Sequence, residues 1–445
     1  MISWIEHKGI FIHECPLPGE RRADHVVPAH PNGVRVSRRR WLVVYATRGF
    51  RGVDDDRSIV YQLRDGGFDG PVIKEGMLAR SIDDWDPLGD GSQYVRQFGH
   101  PVAFGVPKGA VLGGRPAVSA NVFVAKWRVC ARVLIRDGGY LLWNRHPAEL
   151  TRQTQAVQWM QFRLNEAEDD IEILQPAQQL RQKGYETGPA FCAADVAYMN
   201  QSYVQAVPFN ASGTEWMDVN HFDHKDMHHR EGGWIAPLRY RFGETRGLYE
   251  WVQIGPLIGP GLFEGSIAPY HGDWVIAGRP IKGGPIGWVR TGDPFGSTPE
   301  VVYPAEPTTN APLTIYHYAD GVVRLLTGDR NVSPYDNGRN PLYCWEIDPD
   351  REFGASNRRV AFDTYAAGVP IPTEHHPLVD MAKLLPHSGG NTQIIAHRVR
   401  TCALLANDPE YGRLRRLMPG DFDATAIYWA RIHYSEEFPG QWEFE

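Results

Sequence analysis

Apolar residues along this chain come in short runs of strand length, and Gly, Pro, Asp, Asn or basic residues separate them. Four segments share one design. A small polar residue opens a short apolar strand, a Gly-containing or basic turn follows, and a second apolar strand ends in Arg, His or Asp. The first starts at His30-Pro31-Asn32 and ends at Arg48. The second starts at Glu264, turns at His271-Gly272-Asp273 and ends at Arg279. The third runs from Asn310 through Ala319-Asp320-Gly321 to Asp329-Arg330, and the fourth from Asp380 through His387 and Ser388-Gly389-Gly390 to His397-Arg398. A β-unit repeated every few tens of residues predicts a β-propeller.

Further strand-like runs fall at 58–63, 102–106, 122–135, 140–143, 157–164, 203–208, 234–240, 249–254, 286–289, 342–347, 359–362 and 426–434. The total is about 20 strands or more, which at about four per blade allows five to seven blades, with seven expected. The acidic stretch 166–181 fits a short helix or an elaborated loop. The strand near 427–434 is expected to complete the blade begun at the N-terminus. Stacked β-sandwiches are the alternative, but their strand ends would scatter, whereas propeller strands bring theirs to one axis. No linker divides the chain, so residues 1–445 read as a single domain.

Composition sharpens this picture. Gly and Pro together supply 80 residues (46 and 34), spread as many tight turns require. The 14 Trp and 19 Tyr suit strands and also stack on sugar rings. A net charge of −7 with mixed signs argues against nucleic acid. Five widely spaced Cys point to free thiols. No apolar run is long enough for a membrane span, and no signal-peptide pattern opens the chain. The expected location is therefore cytoplasmic as the sequence stands, and periplasmic or secreted if a signal was trimmed. The oligomeric state is left open.

If the repeats superpose, His30, Asn32, Arg48, Glu264, Arg279, Asn310, Asp329, Asp380, His387 and His397 line one funnel. Arg339 and His100 join them. Arg pairs a carboxylate through a two-pronged fork and His or Tyr moves protons, so the set suits an acidic sugar. Each residue also has a bland reading as a turn or inter-blade ion pair. The cluster His221, His224, His228, His229 has the spacing of imidazole ligands to zinc, or forms a rim loop in which His228 touches substrate. A structural calcium or zinc ion is left open. Asp54, Asp55 and Asp56 read as a solvated turn, or as the source of a general acid. The turn 209–216 keeps the Gly-x-x-Trp of an Asp-box hairpin without its Asp.

The segments 264–279, 310–330 and 337–342, with 41–48, resemble the blades of sialidase-superfamily propellers. By length, the opening His-Pro-Asn and the His-bearing strand ends, the chain is most similar to propeller enzymes of rhamnose–uronate linkages. These are the ulvan lyases, rhamnosyl-glucuronate lyases and a related α-L-rhamnosidase group. The resemblance implies a polysaccharide or oligosaccharide substrate. It places His100 and Arg181 at two lyase positions and His30 at the rhamnosidase histidine. The expected reaction is β-elimination next to a uronic acid. In it, Arg279 or Arg339 neutralises the carboxylate, His100 or His387 removes the C5 proton, and Tyr203 protonates the leaving oxygen. Arg48, Arg181, His397, Asn310 and His228 contact substrate. Exo-hydrolysis with Glu264 as acid/base and a non-catalytic glycan-binding propeller are the alternatives.

Overall fold

A computed structural model describes residues 1–12, 27–48, 56–85, 89, 91, 94–133, 156–187, 190–191, 196–200, 205–224, 233–318, 320–335, 338–369, 377–387, 389–400 and 425–444. Every regular element among them is a β-strand. Six antiparallel meander sheets follow one another along the chain. Blade 1 is Val27–Arg35, Arg40–Arg48, Asp56–Asp65 and Val72–Ala79. Blade 2 is Tyr94–Val106, Val122–Val133, Ala156–Leu164 and Ile171–Gln179. Blade 3 opens with Val196–Asn200 and Val207–Pro208 and continues with Glu215–His224, Gly233–Gly243 and Leu248–Ile254. Blade 4 is Leu262–Tyr270, Asp273–Pro280 and Gly287–Thr291, extended by a bridge from Trp288 to Val302. Blade 5 is Thr314–His317, Val323–Thr327, Leu342–Asp348 and Gly354–Phe362.

Blade 6 closes the ring. Its first three strands, Leu378–Leu384, Gly390–Arg400 and Ala426–Phe438, take the N-terminal strand Ile2–Ile12 as their outer edge. The two ends of the chain do share a blade, but that blade belongs to the C-terminal strands. The blade that follows the N-terminal strand begins afresh at Val27.

The core explains why the sheets close. Six hydrophobic clusters lie one at each blade interface. Successive strand side chains point to opposite faces, so each strand feeds two clusters. Leu42, Val44 and Ala46 pack toward blade 2, while Trp41, Val43 and Tyr45 pack toward blade 6. Six interfaces in a closed ring make six blades among the described residues, not the seven expected.

Two local readings change. The stretch 166–181 is neither helix nor long loop; it is a tight turn followed by the edge strand Ile171–Gln179. The hairpin without its Asp is held by Asn210, whose Oδ1 accepts from the Glu215 amide at 3.2 Å and whose amide donates to Thr214 at 3.0 Å. Trp216 Nε1 donates to the Gly213 carbonyl. Cys130 and Cys344 are buried free thiols.

Candidate active site

Four inner strands break register near the axis, and each break carries a non-glycine residue with positive φ. These are His30 (53°), His100 (55°), Glu264 (52°) and Met381 (55°). A left-handed non-glycine residue costs roughly 1–3 kcal/mol and persists only where the surroundings impose it. Bulges re-aim side chains next to functional sites. Here His30, His100 and Glu264 are all buried at these bulges.

Antiparallel pairing then brings the end of each second strand beside the start of the first. Asp380 stands opposite Arg398, and Phe263 opposite Arg279. Asp380 accepts from Arg398 Nε at 2.8 Å and Nη2 at 2.7 Å, and from Arg339 Nη1 at 2.9 Å, with Arg400 at 4.0 Å. Burial opposes ionisation of this carboxyl, but Arg398, Arg400 and Arg339 outweigh it and hold it well below the usual carboxylate range. Arg339 also donates to the Asn310 carbonyl at 2.7 Å. Burial lowers the pKa of Arg339 and nearby Arg279 adds to this, while Asp380 and Glu264 support its charge.

Arg279 donates to Glu264, and its guanidinium lies 4.4 Å over the Phe263 ring. The His221 ring stands edge-on to Phe263, centroids 5.4 Å apart, with buried Asp223 at 3.3 Å. Arg398 Nη1 is 3.1 Å from His30 Nε2. A guanidinium only donates, so Nε2 accepts and the His30 ring is neutral with its proton on Nδ1. The His100 ring stands edge-on to it, centroids 4.0 Å apart.

Exposure orders the cluster. The side chains of Arg339 and Arg279 are 17% and 11% exposed, whereas those of Asp380, Arg398, Arg400 and Glu264 are 0%, 2%, 6% and 4%. Arg339 and Arg279 are thus the least buried guanidinium residues of the cluster, each held by a more deeply buried carboxylate. Among the described residues, Arg279, Arg339, Arg398 and Arg400 gather around Glu264 and Asp380, a concentration of guanidiniums suited to an anion.

Of the residues singled out in the sequence, the structure brings together His30, His100, Glu264, Arg279, Arg339, Asp380 and the Asn310 carbonyl. Asn32 is buried nearby and ties blades 1 and 2 by accepting from the Ala103 amide at 3.1 Å. Others lie elsewhere. His397 faces the blade 5–blade 6 core, 4.2 Å from the Phe362 ring. His387 follows its strand and packs on Tyr318. Arg181 sits beyond the outer strand of blade 2, bonded to Gln179 and Tyr185. Asp329 caps its own turn through the Asn331 amide. Arg48 ends a strand, and its side chain lies outside the described residues. Tyr203, His228, His229, Asp54 and Asp55 also lie outside them, as do the side chains of Asp56 and His224. No cluster of three metal-ligating side chains occurs among the described residues.

Two site residues were not selected from the sequence: Arg398 and Arg400. The signal for Arg398 was strand parity. It pairs with Asp380 and shares its face, so adjacent His397 must point the other way.

No protein-family profile matches the chain, and no curated protein matches it. Solved structures do. Trypanosoma rangeli sialidase in complex with the inhibitor DANA matches with a TM-score of 0.55 at 11% identity, over 91% of this chain and 55% of that one. The chain has a sialidase-like β-propeller fold. A Hadza microbial sialidase matches with a TM-score of 0.53 at 12% identity, over 84% and 64%. A protein of unknown function from Dyadobacter fermentans matches with a TM-score of 0.55 at 10% identity, over 97% of this chain and 100% of that one. The chain spans about half the length of the first sialidase. At these identities the likeness establishes the fold.

Proposed function

We propose that the protein is a carbohydrate-active propeller that binds a carboxylate-bearing sugar on the Arg279–Arg339 face and cleaves its glycosidic bond. The observation that carries this is the pair of partly accessible arginines, each held by a buried carboxylate. Preset forks need little reordering when an anion arrives, and water exclusion strengthens them. The neighbouring structures described as sialidases support the same substrate class.

Hydrolysis is the favoured reaction. Asp380 is fully taken up by guanidiniums, which leaves Glu264 as the site carboxylate with one partner, Arg279. Glu264 is placed to assist a nucleophile or move a proton while Arg279 and Arg339 hold the substrate carboxylate. One observation favours β-elimination as the second reading. The buried imidazole of His100, beside His30 whose Nε2 is taken by Arg398, stands next to carboxylate-neutralising arginines.

Incubation with uronate-, rhamnose–uronate- and sialic-acid-containing oligosaccharides tests the proposal. New reducing ends without absorbance near ~235 nm indicate hydrolysis, and ends with absorbance indicate elimination. Neutral glycans cleaved in preference to every acidic one would refute the proposal.

A further inference from the structure

Lys383 is a buried cation-forming group that neither the fold nor the site above uses. It lies on the inner strand of blade 6, just past the Met381 bulge, and is 3% exposed. Among the described residues its amine has no hydrogen bond or ion pair. Its electrostatic neighbour is Glu264, reaching in from the inner strand of blade 4, and Glu264 is already held by Arg279.

The other charged groups around it are accounted for. On its own strand, Asp380 is committed to Arg398 and Arg339. The paired strand contributes Arg398 and Arg400 and turns His397 to the opposite face. The inner strand of blade 1 contributes His30, bonded to Arg398. From blade 5, Thr314 donates to the Ala382 carbonyl. His317 there lies with Tyr270 and His271, and Arg324 with Asp320 and Glu346.

We infer that Lys383 is a ligand-dependent cation: when an anionic sugar occupies the Arg279–Arg339 face, the amine takes one proton from solvent and becomes a further positive group of the site. The inference rests on the anionic-ligand reading above. The step balances as neutral amine plus proton giving ammonium, with no covalent change. Burial disfavours the ammonium, lowering its pKa to about 7 with Glu264 pulling the other way, so the empty-site amine is mostly neutral above pH 7. A carboxylate brought into the site adds the negative charge that favours the ammonium. Affinity then depends on pH, weakening by roughly tenfold per unit well above pH 7.

Titration calorimetry with D-glucuronate and with sialic acid, in two buffers of different ionisation enthalpy at pH 8, reads the proton count directly. The wild type should take up most of one proton per bound anion. Lys383→Met and Lys383→Gln should bind more weakly, with uptake near zero and affinity flat between pH 7 and 9. Binding without uptake, or uptake retained in a folded Lys383→Met or Lys383→Gln protein, would overturn the inference and leave the anionic-ligand reading standing. Absence of binding by either acid at any pH would overturn both.

Discussion

Asp380 accepts two hydrogen bonds from Arg398, its cross-strand partner, and uses its other oxygen to hold Arg339 at 2.9 Å. One buried carboxylate therefore fixes one guanidinium in the core and holds a second, less buried one beside it. Replacing it by Asn keeps the shape and removes the charge, leaving buried Arg398 uncompensated. Asp380→Asn should cost about 3–5 kcal/mol of stability. Denaturant unfolding checks this, and a loss under about 1 kcal/mol would show that the anchor matters little.

Arg279 and Arg339 are the least buried guanidinium residues of the cluster, so their removal should cost some stability at the carboxylates they hold and spoil recognition. Arg279→Ala and Arg339→Ala should each lower kcat/KM on an acidic sugar by about 100-fold or more. Lysine should rescue poorly, because a point charge lacks the planar fork. Steady-state kinetics with thermal unfolding as control decides the matter; losses under about tenfold for both alanine variants would remove these residues from the site.

His397 makes the stability pH-dependent. Both ring nitrogens are buried, and burial pushes its pKa down to about 3. In the unfolded chain it titrates near ~6.5. The group's contribution is thus fully present above pH 6.5 and is lost as pH falls toward 3, by about 1.4 kcal/mol per unit. His397→Phe, set against Phe362 and Tyr428, should flatten the stability profile between pH 6.5 and 4. Urea unfolding at several pH values gives the test, and parallel profiles would contradict it.

Lys126 of blade 2 and Asp218 of blade 3 form a fully buried ion pair, with Tyr240 at 2.9 Å from the lysine. Either partner alone is an uncompensated buried charge. Lys126→Met should cost about 3–5 kcal/mol, and adding Asp218→Leu should recover most of that. A double-mutant cycle in denaturant measures the coupling; additive losses would argue against it.

Much of this was legible in the sequence because it rests on local pattern. Strand-length apolar runs and turn residues were enough for an all-β propeller, and repeat-end residues pointed to His30, Glu264 and Arg279. The blade count was not legible, since it is fixed by which sheets share a core cluster. Nor was the choice between His397 and Arg398. A bulge at Met381 shifts the register, and that single residue decides which of the two faces Asp380. Lys383 carried no pattern at all; its character comes from burial and from an acidic neighbour two blades away.

The central claim is that Arg279 and Arg339 recognise a sugar carboxylate. The most direct measurement compares kcat/KM for an acidic oligosaccharide and for its carboxamide counterpart, in wild type and in Arg279→Ala. The account predicts at least about a 100-fold preference for the acid in the wild type, largely abolished in the variant. Equal turnover of acid and amide by the wild type, or an undiminished preference in the variant, would contradict it.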